Sequence, residues 1–408
     1  MKFRKQNNNK QLKLIKMNYK KSKTVLSMII ALSFLTIIVG CVSYENFEPN
    51  DSIVSDNVEL QKILDQAVNE FKLPGLQAGI LFPDGKILLA SSGTEDFARK
   101  KPCITNQSIF RIGSATKMFV SALIGRLMEK GLLSYDDTID EWFSDLQSAN
   151  TITIRELLNQ HSGIQESLFT NLSILTTSGL SDKKQWDPQE VINKIMKNMK
   201  ITPIEERSFV YSNNNYILLG LIAEKVGKDN IVNQLRDEFF IPLKMTNTFF
   251  LPNNLQLPDG LISGYDEYIP LGPHIIKPSN LSWSTLTYSA GAMASTAEDL
   301  LIWLDAMFHN KVLKAATSEA MRLYLNAREN GRDNNIVGYG LGLAQYELEG
   351  YKMEGHPGAG FGGECFPFYI REKDVSIVVS YNWSKMDNPA GKILIKRIVE
   401  QIINNPHL

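Results

Sequence analysis

A serine and a lysine three residues apart, Ser114 and Lys117, are the first residues in the chain whose types and spacing could do chemistry. The segment reads Phe-Arg-Ile-Gly-Ser-Ala-Thr-Lys from Phe110, and apolar residues then recur at helical spacing as far as Met128. Residues three apart on a helix share a face, so the amine should lie beside the hydroxyl at the positive end of the helix dipole. A lysine whose pKa is lowered by burial or by nearby cations can take the proton of a serine nucleophile. The spacing predicts a Ser-Lys nucleophile, although a helix N-cap followed by an ordinary lysine gives the same pattern.

A tyrosine and an asparagine further along the chain are candidate partners for this pair. Tyr211 and Asn213 stand just before a second apolar segment of helical periodicity. A tyrosinate at position 211 could relay the Ser114 proton, and the Asn213 amide could hold both Lys117 and a substrate carbonyl. Asn213 is equally well placed to cap a helix, which would leave it without a chemical role.

A glycine-rich segment, residues 354–363, is the third stretch that could take part in chemistry. It reads Glu-Gly-His-Pro-Gly-Ala-Gly-Phe-Gly-Gly, and so many glycines would let the backbone of a strand edge approach a ligand closely. The Ala359 N–H, next to Gly358, could pair with the Ser114 N–H to form an oxyanion hole. A glycine-rich turn that holds an incidental histidine, His356, is the alternative interpretation.

In this order, the three motifs resemble those of the serine β-lactamase and penicillin-recognising enzyme superfamily, in its class C β-lactamase and D-alanyl-D-alanine carboxypeptidase branch. The matching positions are Ser-x-x-Lys at Ser114 and Lys117, Tyr-x-Asn at Tyr211 and Asn213, and His-x-Gly at His356 and Gly358. Three intervening stretches are similar as well, at residues 157–164, 288–300 and 339–343. The resemblance covers residues 60 to 402, nearly the whole body of the chain.

The resemblance implies a reaction that proceeds by acylation of Ser114. Lys117 and Tyr211 would share the general-base and general-acid roles, and water would then release the acyl group. Asn213 would orient the substrate amide, and His356 would replace the lysine of a related Lys-Thr-Gly motif and favour the Tyr211 hydroxyl network electrostatically. The resemblance implies no metal and no organic cofactor, and the sequence has no paired Cys/His spacing typical of a zinc site.

Two departures from the family pattern concern the substrate. Gly358 and Ala359 are the expected substrate-binding positions, but the carboxypeptidases carry hydroxyl residues where this chain has Pro357 and Ala359. Those enzymes also have an arginine in the strand where this chain reads Ala-Gln-Tyr at residues 344–346. Each lost charge-assisted hydrogen bond corresponds to about 1.5 to 3 kcal/mol. The pocket is therefore predicted to hold a free substrate carboxylate weakly.

These observations predict a serine hydrolase that acts on a D-amino-acid-containing peptide, amide or ester. D-alanyl-D-alanine carboxypeptidase, β-lactamase and esterase activities remain open as alternatives. A catalytically silent module of the same fold, which binds peptidoglycan or another ligand as a sensor, is the hypothesis from a different class of function.

The elements that must position these residues form an α+β pattern. An amphipathic helix and a strand hairpin precede Ser114, the periodicity is mainly helical to about residue 255, and strands then return before a final amphipathic helix. The predicted helices after the nucleophile are 154–159, 188–199, 214–226 and 230–239, and the late strands are 338–346, 351–355, 364–370 and 375–382. We therefore predict a β-lactamase/transpeptidase-like fold, with an antiparallel sheet built from both termini, flanked by helices, and a mainly helical lobe inserted over roughly residues 114–255.

The first 41 residues predict a lipoprotein-type signal peptide. Nine basic residues and no acid fall in the first 23 positions, and a mainly apolar run follows from Val25 to Val39. This run is short for a membrane span. Its end, up to Cys41, resembles the lipobox of bacterial lipoproteins, in which the cysteine is lipidated. An uncleaved signal anchor is the alternative, and translation could start at Met17 rather than Met1.

Residues 42–56 then predict a polar tether, and residues 57–408 a single hydrolase domain with the helical lobe inserted in a sheet lobe. We expect the domain to lie outside the cytoplasm, anchored to a bacterial membrane through lipid. Without its first 23 residues the chain carries a formal charge of −10, which argues against nucleic acid as a partner. The expected partner is a small peptide, amide or ester, peptidoglycan-derived material included. Cys103 and Cys365 could form a disulfide or remain free thiols.

Overall fold

The computed structural model describes residues 58–98, 100–169, 174, 177–178, 184–196, 200–252, 257–267, 274–328, 336–360, 362–385 and 388–405. The predicted signal peptide and tether lie outside these residues, and so does Cys41, the predicted lipidation site. Their boundaries therefore stay predictions. Of the helices in the described ranges, none combines the length and the apolar character needed to cross a membrane.

Strands from the two ends of the described chain meet in one antiparallel sheet. The strands are β1 (Gly75–Leu81), β2 (Ile87–Gly93), β3 (Phe110–Arg111), β4 (Phe249–Phe250), β5 (Gly264–Asp266), β6 (His274–Ile276), β7 (Met293–Ser295), β8 (Leu325–Asn326), β9 (Ile336–Tyr339), β10 (Ala344–Leu348), β11 (Tyr351–Gly355), β12 (Gly358–Ala359), β13 (Glu364–Ile370), β14 (Val375–Tyr381) and β15 (Trp383–Ser384). Within the described ranges, the large sheet has the order β2-β1-β14-β13-β11-β10-β9-β8, and β12 pairs with β13 beside this path. Because β1 pairs directly with β14, from Leu76 opposite Tyr381 to Leu81 opposite Ser376, the predicted sheet built from both termini is confirmed.

Helices cover both faces of the sheet and fill the middle of the chain. They are α1 (Val58–Glu70), α2 (Thr116–Glu129), α3 (Ile154–Leu158), α4 (Pro188–Met196), α5 (Asn213–Gly227), α6 (Ile231–Leu235), α7 (Ser282–Thr287), α8 (Ala297–Phe308), α9 (Ala315–Met321) and α10 (Ala390–Ile398). A π-helical turn, Arg236–Phe240, extends α6, and another, Val399–Ile403, extends α10.

Two apolar cores lie on opposite sides of the large sheet. On one side α1 and α10 pack together against the sheet, with Leu64 and Ile398 fully buried. On the other side α8 packs on β1, β13 and β14 and leads into the helical core around α2 and α5. There the rings of Phe119 on α2 and Trp303 on α8 stack 3.9 Å apart. The predicted α+β class, a sheet flanked by helices, is therefore confirmed.

The stretch predicted as one strand over residues 338–346 is a hairpin instead. β9 ends at Tyr339 and β10 begins at Ala344, and the two strands pair antiparallel. The reversal is possible because Gly342 adopts a φ of 77°, a conformation that favours glycine. The same glycine approaches α2 so closely that an added Cβ would lie 1.9 Å from the Ser121 hydroxyl oxygen. The apolar pattern continues through this turn, which is why periodicity alone does not reveal it.

Three helices that follow residue 281, namely α7, α8 and α9, were not predicted from periodicity. α8 shows the reason most clearly, because nine of its twelve residues are buried and it therefore has no polar face of ordinary width. A helix packed between a sheet and other helices loses the amphipathic signal on which such predictions depend. Cys103 is exposed and Cys365 is buried, and both are free thiols.

Candidate active site

Ser114 lies in a 3-10 turn, Gly113–Ala115, between β3 and the start of α2. Gly113 has a φ of 50°, and a Cβ at this position would lie 3.0 Å from the Ala359 nitrogen. The turn therefore requires glycine on both grounds. Because α2 begins at Thr116, Ser114 sits at the positive end of the helix dipole, as the sequence predicts.

Lys117 is fully buried in the first turn of α2. Its amine is 2.9 Å from the Ser114 hydroxyl oxygen, 2.8 Å from the Asn213 side-chain oxygen and 2.7 Å from the Ala290 carbonyl oxygen. Loss of solvent lowers the pKa of Lys117 from 10.5 to about 7, even though the negative charge of Glu166 acts in the opposite direction. At neutral pH a large fraction of this lysine is therefore an uncharged amine.

The three partners decide where the lone pair of that amine points. The Asn213 Oδ1 and the Ala290 carbonyl have no proton to give, so both must receive an N–H from Lys117. A neutral amine has two N–H groups and one lone pair. With both N–H groups occupied, the lone pair faces the Ser114 hydroxyl, which is the arrangement a general base needs.

A strained turn presents the Ala290 carbonyl to Lys117. Tyr288, at the end of α7, has φ 43° and ψ −128°, a region that residues with a Cβ rarely adopt and that costs about 1 to 3 kcal/mol. Its ring is buried and packs at a right angle to Phe250, with centroids 5.5 Å apart. The next residue, Ser289, donates a hydrogen bond of 2.7 Å to the Tyr216 carbonyl of α5. Packing from α5 and β4 thus holds the turn in place.

Asn213 begins α5, and its side chain points into the site. The N-cap of α5 is Ser212 rather than Asn213, so the capping alternative for Asn213 is wrong. The Asn213 Oδ1 accepts from Lys117, and its Nδ2 donates to Glu166 over 2.9 Å. Because Lys117 lies on the oxygen side and a carboxylate on the nitrogen side, the orientation of this amide is defined by its partners.

Tyr211 lies beside Ser114 with its phenol protonated. The Ser114 hydroxyl is a hydrogen-bond partner of Tyr211, and the Lys117 amine lies 4.9 Å from the centre of the Tyr211 ring. Desolvation raises the pKa of Tyr211 well above its usual range, and the charge of Glu166 adds to this shift. The tyrosinate considered in the sequence analysis is therefore disfavoured, and Lys117 is the better base.

His356 is buried and neutral, with both ring nitrogens occupied. Its Nδ1 lies 2.8 Å from the Pro357 carbonyl oxygen, and its Nε2 lies 2.9 Å from the Tyr339 hydroxyl. A carbonyl can only accept, so Nδ1 carries the proton and Tyr339 donates to Nε2. Burial and the nearby Lys117 charge lower the pKa of His356 to about 3. The ring lies 6.0 Å from that of Tyr211, where it contributes an oriented neutral group and no positive charge.

The structure brings Ala359 of β12 next to the turn of Ser114, where the sequence predicts an oxyanion hole. β12 runs beside the turn of Ser114 so closely that a Cβ on Gly358 would lie 1.9 Å from the Ile112 carbonyl oxygen and 2.8 Å from the Ser114 nitrogen. The Gly360 N–H donates to the Gly363 carbonyl, and hydrogen-bonded pairs alternate along an antiparallel ladder. Ala359, opposite Glu364, therefore turns its N–H away from β13 and towards the nucleophile turn.

Gln160 is a residue of this site that sequence reasoning missed. It is fully buried with a φ of 65°, and its Oε1 accepts from the Ser212 N–H and from the Asn215 amide. Its backbone carbonyl also accepts from the Val210 N–H over 2.9 Å, so Gln160 holds both neighbours of Tyr211. Its amide nitrogen faces the Tyr339 hydroxyl, although it makes no hydrogen bond of regular geometry to any described residue. The neighbouring His161 packs on Phe209 with ring centroids 6.0 Å apart.

Comparison with known proteins gives a family match over most of the chain. A family model described as Beta-lactamase matches residues 60–400. Among curated proteins, Protein flp of Staphylococcus aureus strain N315 is 30% identical over 252 residues, which are 60% of this chain and 48% of that protein. Penicillin-binding protein 4* of Bacillus subtilis strain 168 is 24% identical over 286 residues, 66% of this chain and 59% of that protein. The chain thus spans about half the length of the curated relatives it matches.

One solved structure has a similar fold, and nearly the whole of its chain superimposes on this protein. The D-amino acid amidase from Ochrobactrum anthropi SV3, complexed with D-phenylalanine, superimposes with a TM-score of 0.75 and 25% sequence identity. The match covers 85% of this chain and 98% of that one. The fold of this chain is therefore shared with a protein of known structure.

Proposed function

The chain belongs to the β-lactamase family, and from that membership we propose that it is a serine hydrolase that works through an acyl-enzyme at Ser114. Its proposed substrates are peptides, amides or esters that contain a D-amino acid. D-alanyl-D-alanine carboxypeptidase-like and β-lactamase-like activities are the finer forms of this proposal, and an esterase of the same fold is the alternative.

One observation carries the proposal, namely the contact of Lys117 with Ser114. The amine is fully buried, its pKa is lowered to about 7, and it lies 2.9 Å from the hydroxyl oxygen. A fully buried lysine is rare because the charged form loses its hydration. Here the same burial produces a base that is partly deprotonated at neutral pH, as nucleophilic catalysis requires.

In the first half of the proposed reaction, the Lys117 amine takes the Ser114 proton while Oγ bonds to the substrate carbonyl carbon. The electron pair of the C=O bond moves to the oxygen, which lies between the N–H groups of Ser114 and Ala359. The tetrahedral species then collapses, and the bond to the leaving group breaks. The leaving atom receives a proton that comes from the Lys117 ammonium by way of the Tyr211 hydroxyl, so no net charge is left behind.

In the second half, water replaces the leaving group. The neutral Lys117 and Tyr211 network takes a proton from water as its oxygen bonds to the acyl carbon. The oxyanion is stabilised again by the two backbone N–H groups, and the bond to Ser114 Oγ breaks as that oxygen regains its proton. The product is a carboxylic acid, and the site returns to its starting state.

The proposal of a D-configured substrate is supported by the relatives. The structurally similar protein is named a D-amino acid amidase, and a penicillin-binding protein is among the sequence relatives. We therefore expect a D-residue on the acyl side of the scissile bond.

This chain has Pro357 and Ala359 where the carboxypeptidases carry hydroxyl side chains. This difference favours an amide or ester substrate over one with a free carboxylate. The carbonyl of Pro357 is occupied by His356, and Ala359 has only a methyl side chain, which is exposed. In β10, Ala344 and Tyr346 are buried in the core behind the sheet. We expect a D-alanine ester or amide to be cleaved at least about tenfold more efficiently than a matched peptide that ends in a free carboxylate.

Intact-mass measurement tests the nucleophile directly. Protein exposed to a fluorophosphonate, and separately to penicillin, should gain the mass of one adduct with at least one reagent, and Ser114→Ala should gain none. An adduct that persists in Ser114→Ala would overturn the assigned nucleophile. Failure of both reagents to modify folded protein would favour the silent sensor module.

Placement at the cell envelope is part of the proposal and rests on the sequence of the first 41 residues. The basic segment, the apolar run and Cys41 together resemble a lipoprotein signal. Expressed in a bacterium, the full chain should fractionate with membranes, and Cys41→Ser should release it or leave its signal uncleaved. Because an uncleaved Cys41→Ser chain would also stay at the membrane, protein mass separates the alternatives: a wild-type chain that keeps its first 40 residues and carries no lipid would favour the signal anchor.

A further inference from the structure

Glu166 is a carboxylate in the loop after α3 that contacts the site without touching the nucleophile. Its Oε2 accepts from both the backbone N–H and the side-chain Nδ2 of Asn213, over 2.7 and 2.9 Å. Its Oε1 accepts from the N–H groups of Leu168 and Phe169, over 2.7 and 3.2 Å. One carboxylate thus fastens the loop to the first residue of α5.

We propose that Glu166 is a positioning residue that fixes the Asn213 amide, and through it directs the Lys117 lone pair at Ser114. This inference rests on the proposed acyl transfer and adds a residue to it. Both oxygens of Glu166 accept from N–H groups, so Glu166 selects the NH₂ side of the Asn213 amide. The oxygen of the same amide is then left to face Lys117, over 2.8 Å.

The reverse orientation of the amide would misdirect the base. If Asn213 turned its NH₂ group towards Lys117, the neutral amine would have to accept that N–H with its lone pair. One Lys117 N–H would then point at Ser114, and the serine proton would have no acceptor. Glu166 excludes this state because it would place the Asn213 oxygen against a carboxylate.

Glu166 also acts on Lys117 through its charge. The groups that face the buried amine are the rings of Tyr211 and Tyr216, at 4.9 and 5.4 Å, and the neutral His356. Glu166 is the carboxylate that raises the pKa of Lys117 against the effect of burial. Its removal should therefore lower that pKa further, because burial would act unopposed.

The test measures how fast a neutral fluorophosphonate acylates Ser114 across a range of pH, by intact mass. In the wild type, the rate should rise to half its maximum near pH 7, where Lys117 loses its proton. Glu166→Gln keeps the size of the side chain but removes its charge. Its single side-chain oxygen cannot accept hydrogen bonds both from the loop and from Asn213. We expect its maximal rate to fall about tenfold or more and its midpoint to move down by roughly one pH unit.

Two further variants separate geometry from charge and from general effects on the fold. Glu166→Asp keeps the charge but is too short to hold both the loop and Asn213, so its midpoint should stay near that of the wild type while its rate falls. Glu129→Gln is the matched control, because Glu129 lies on α2 with Lys117 and likewise accepts a backbone N–H, from Lys314. It should change neither the midpoint nor the maximal rate.

An unchanged rate and midpoint in Glu166→Gln would overturn the inference, and so would equal changes in Glu129→Gln. If Glu166→Gln does not fold, Glu166→Asp still tests the inference, because an unchanged maximal rate in Glu166→Asp would exclude the positioning role. Failure of the proposed function gives a different result, because wild-type Ser114 would then not react at any pH. In that case the ¹³Cε resonance of Lys117, assigned with Lys117→Met, should still titrate at lower pH in Glu166→Gln, and an unshifted resonance would overturn the inference.

Discussion

Two buried cations flank Ser114 in the chain, and the fold uses them in opposite ways. Arg111 on β3 is 6% exposed and Lys117 on α2 is 0% exposed, and neither is neutralised by a directly contacting carboxylate in the described residues. Burial lowers the pKa of Lys117 to about 7 but that of Arg111 only to about 10. At neutral pH, therefore, the lysine can lose its proton while the arginine stays charged.

The partners of the two cations fit this difference. Arg111 donates to four backbone carbonyls, those of Ile262, Lys277, Pro278 and Asn280, over 3.1 to 3.4 Å. Ile262 precedes β5 and the other three residues follow β6, so Arg111 connects the two ends of this strand pair. Lys117 has two obligate acceptors and one hydroxyl, so it can exchange a proton with the third partner. The comparison teaches that burial yields a base only where the buried cation can give up its proton.

We expect the largest effect, on the rate of Ser114 acylation, when Lys117 is replaced. Lys117→Met fills a similar volume but has no base, so acylation of Ser114 by a fluorophosphonate should fall by more than about a thousandfold. Intact mass over time measures this rate, and Arg111→Met is the matched replacement at the other cation. If Lys117→Met reacted within about tenfold of the wild type, another group would have to be the base.

The second prediction concerns Arg111 and the stability of the folded protein. Arg111→Met leaves several buried carbonyls without a donor, and we expect the free energy of unfolding to fall by about 2 to 4 kcal/mol. Arg111→Lys should recover only part of this loss, because an ammonium group cannot reproduce the planar fork of a guanidinium. Urea unfolding followed by tryptophan fluorescence measures both. Wild-type stability in Arg111→Met would show that the segment between β4 and α7 does not depend on this cation.

The third prediction, with the smallest expected effect, concerns how the free energy of unfolding changes with pH. Between pH 7 and the ordinary lysine pKa, unfolded chains hold a proton on Lys117 that the folded protein has largely lost, so the free energy of unfolding should rise with pH. From pH 7 to 8.5 this contribution amounts to about 1 to 2 kcal/mol. The difference between the wild type and Lys117→Met should show it.

Arg111→Met provides the control for this pH dependence. An arginine with a pKa of about 10 stays charged in both states below pH 8.5, so Arg111→Met should retain the rise that Lys117→Met lacks. Parallel pH profiles for the wild type and Lys117→Met would mean that the lysine keeps its proton in the folded protein.

Much of the site could be predicted from the sequence because its residues occur in short local patterns. Ser114 and Lys117 are three residues apart at the start of α2, and Tyr211 and Asn213 are two residues apart at the start of α5. The sheet from both termini was also predictable, since each strand has its own apolar signal. Such features need only local sequence and a rule of topology.

Residues that act across distant segments could not be predicted in this way. Glu166 reaches Asn213 across 47 positions and Gln160 reaches Ser212 across 52, and neither stands in a pattern that marks it. The Ala290 carbonyl could not be identified from residue types, because every residue has a backbone carbonyl. Its position depends on the strained backbone of Tyr288. The role of His356 also needed the structure, because only its two partners show that it is neutral.

The pairing of β1 with β14 has a consequence for how the protein is made. Gly75 and its strand leave the ribosome long before residues 375–381, and a loop of about 300 residues must close before the central pair of the sheet can form. The Ala359 N–H arrives late for the same reason, so the nucleophile is synthesised well before its oxyanion hole. We expect a nascent or truncated chain to show none of the proposed activity, which should appear only once the last strands have emerged.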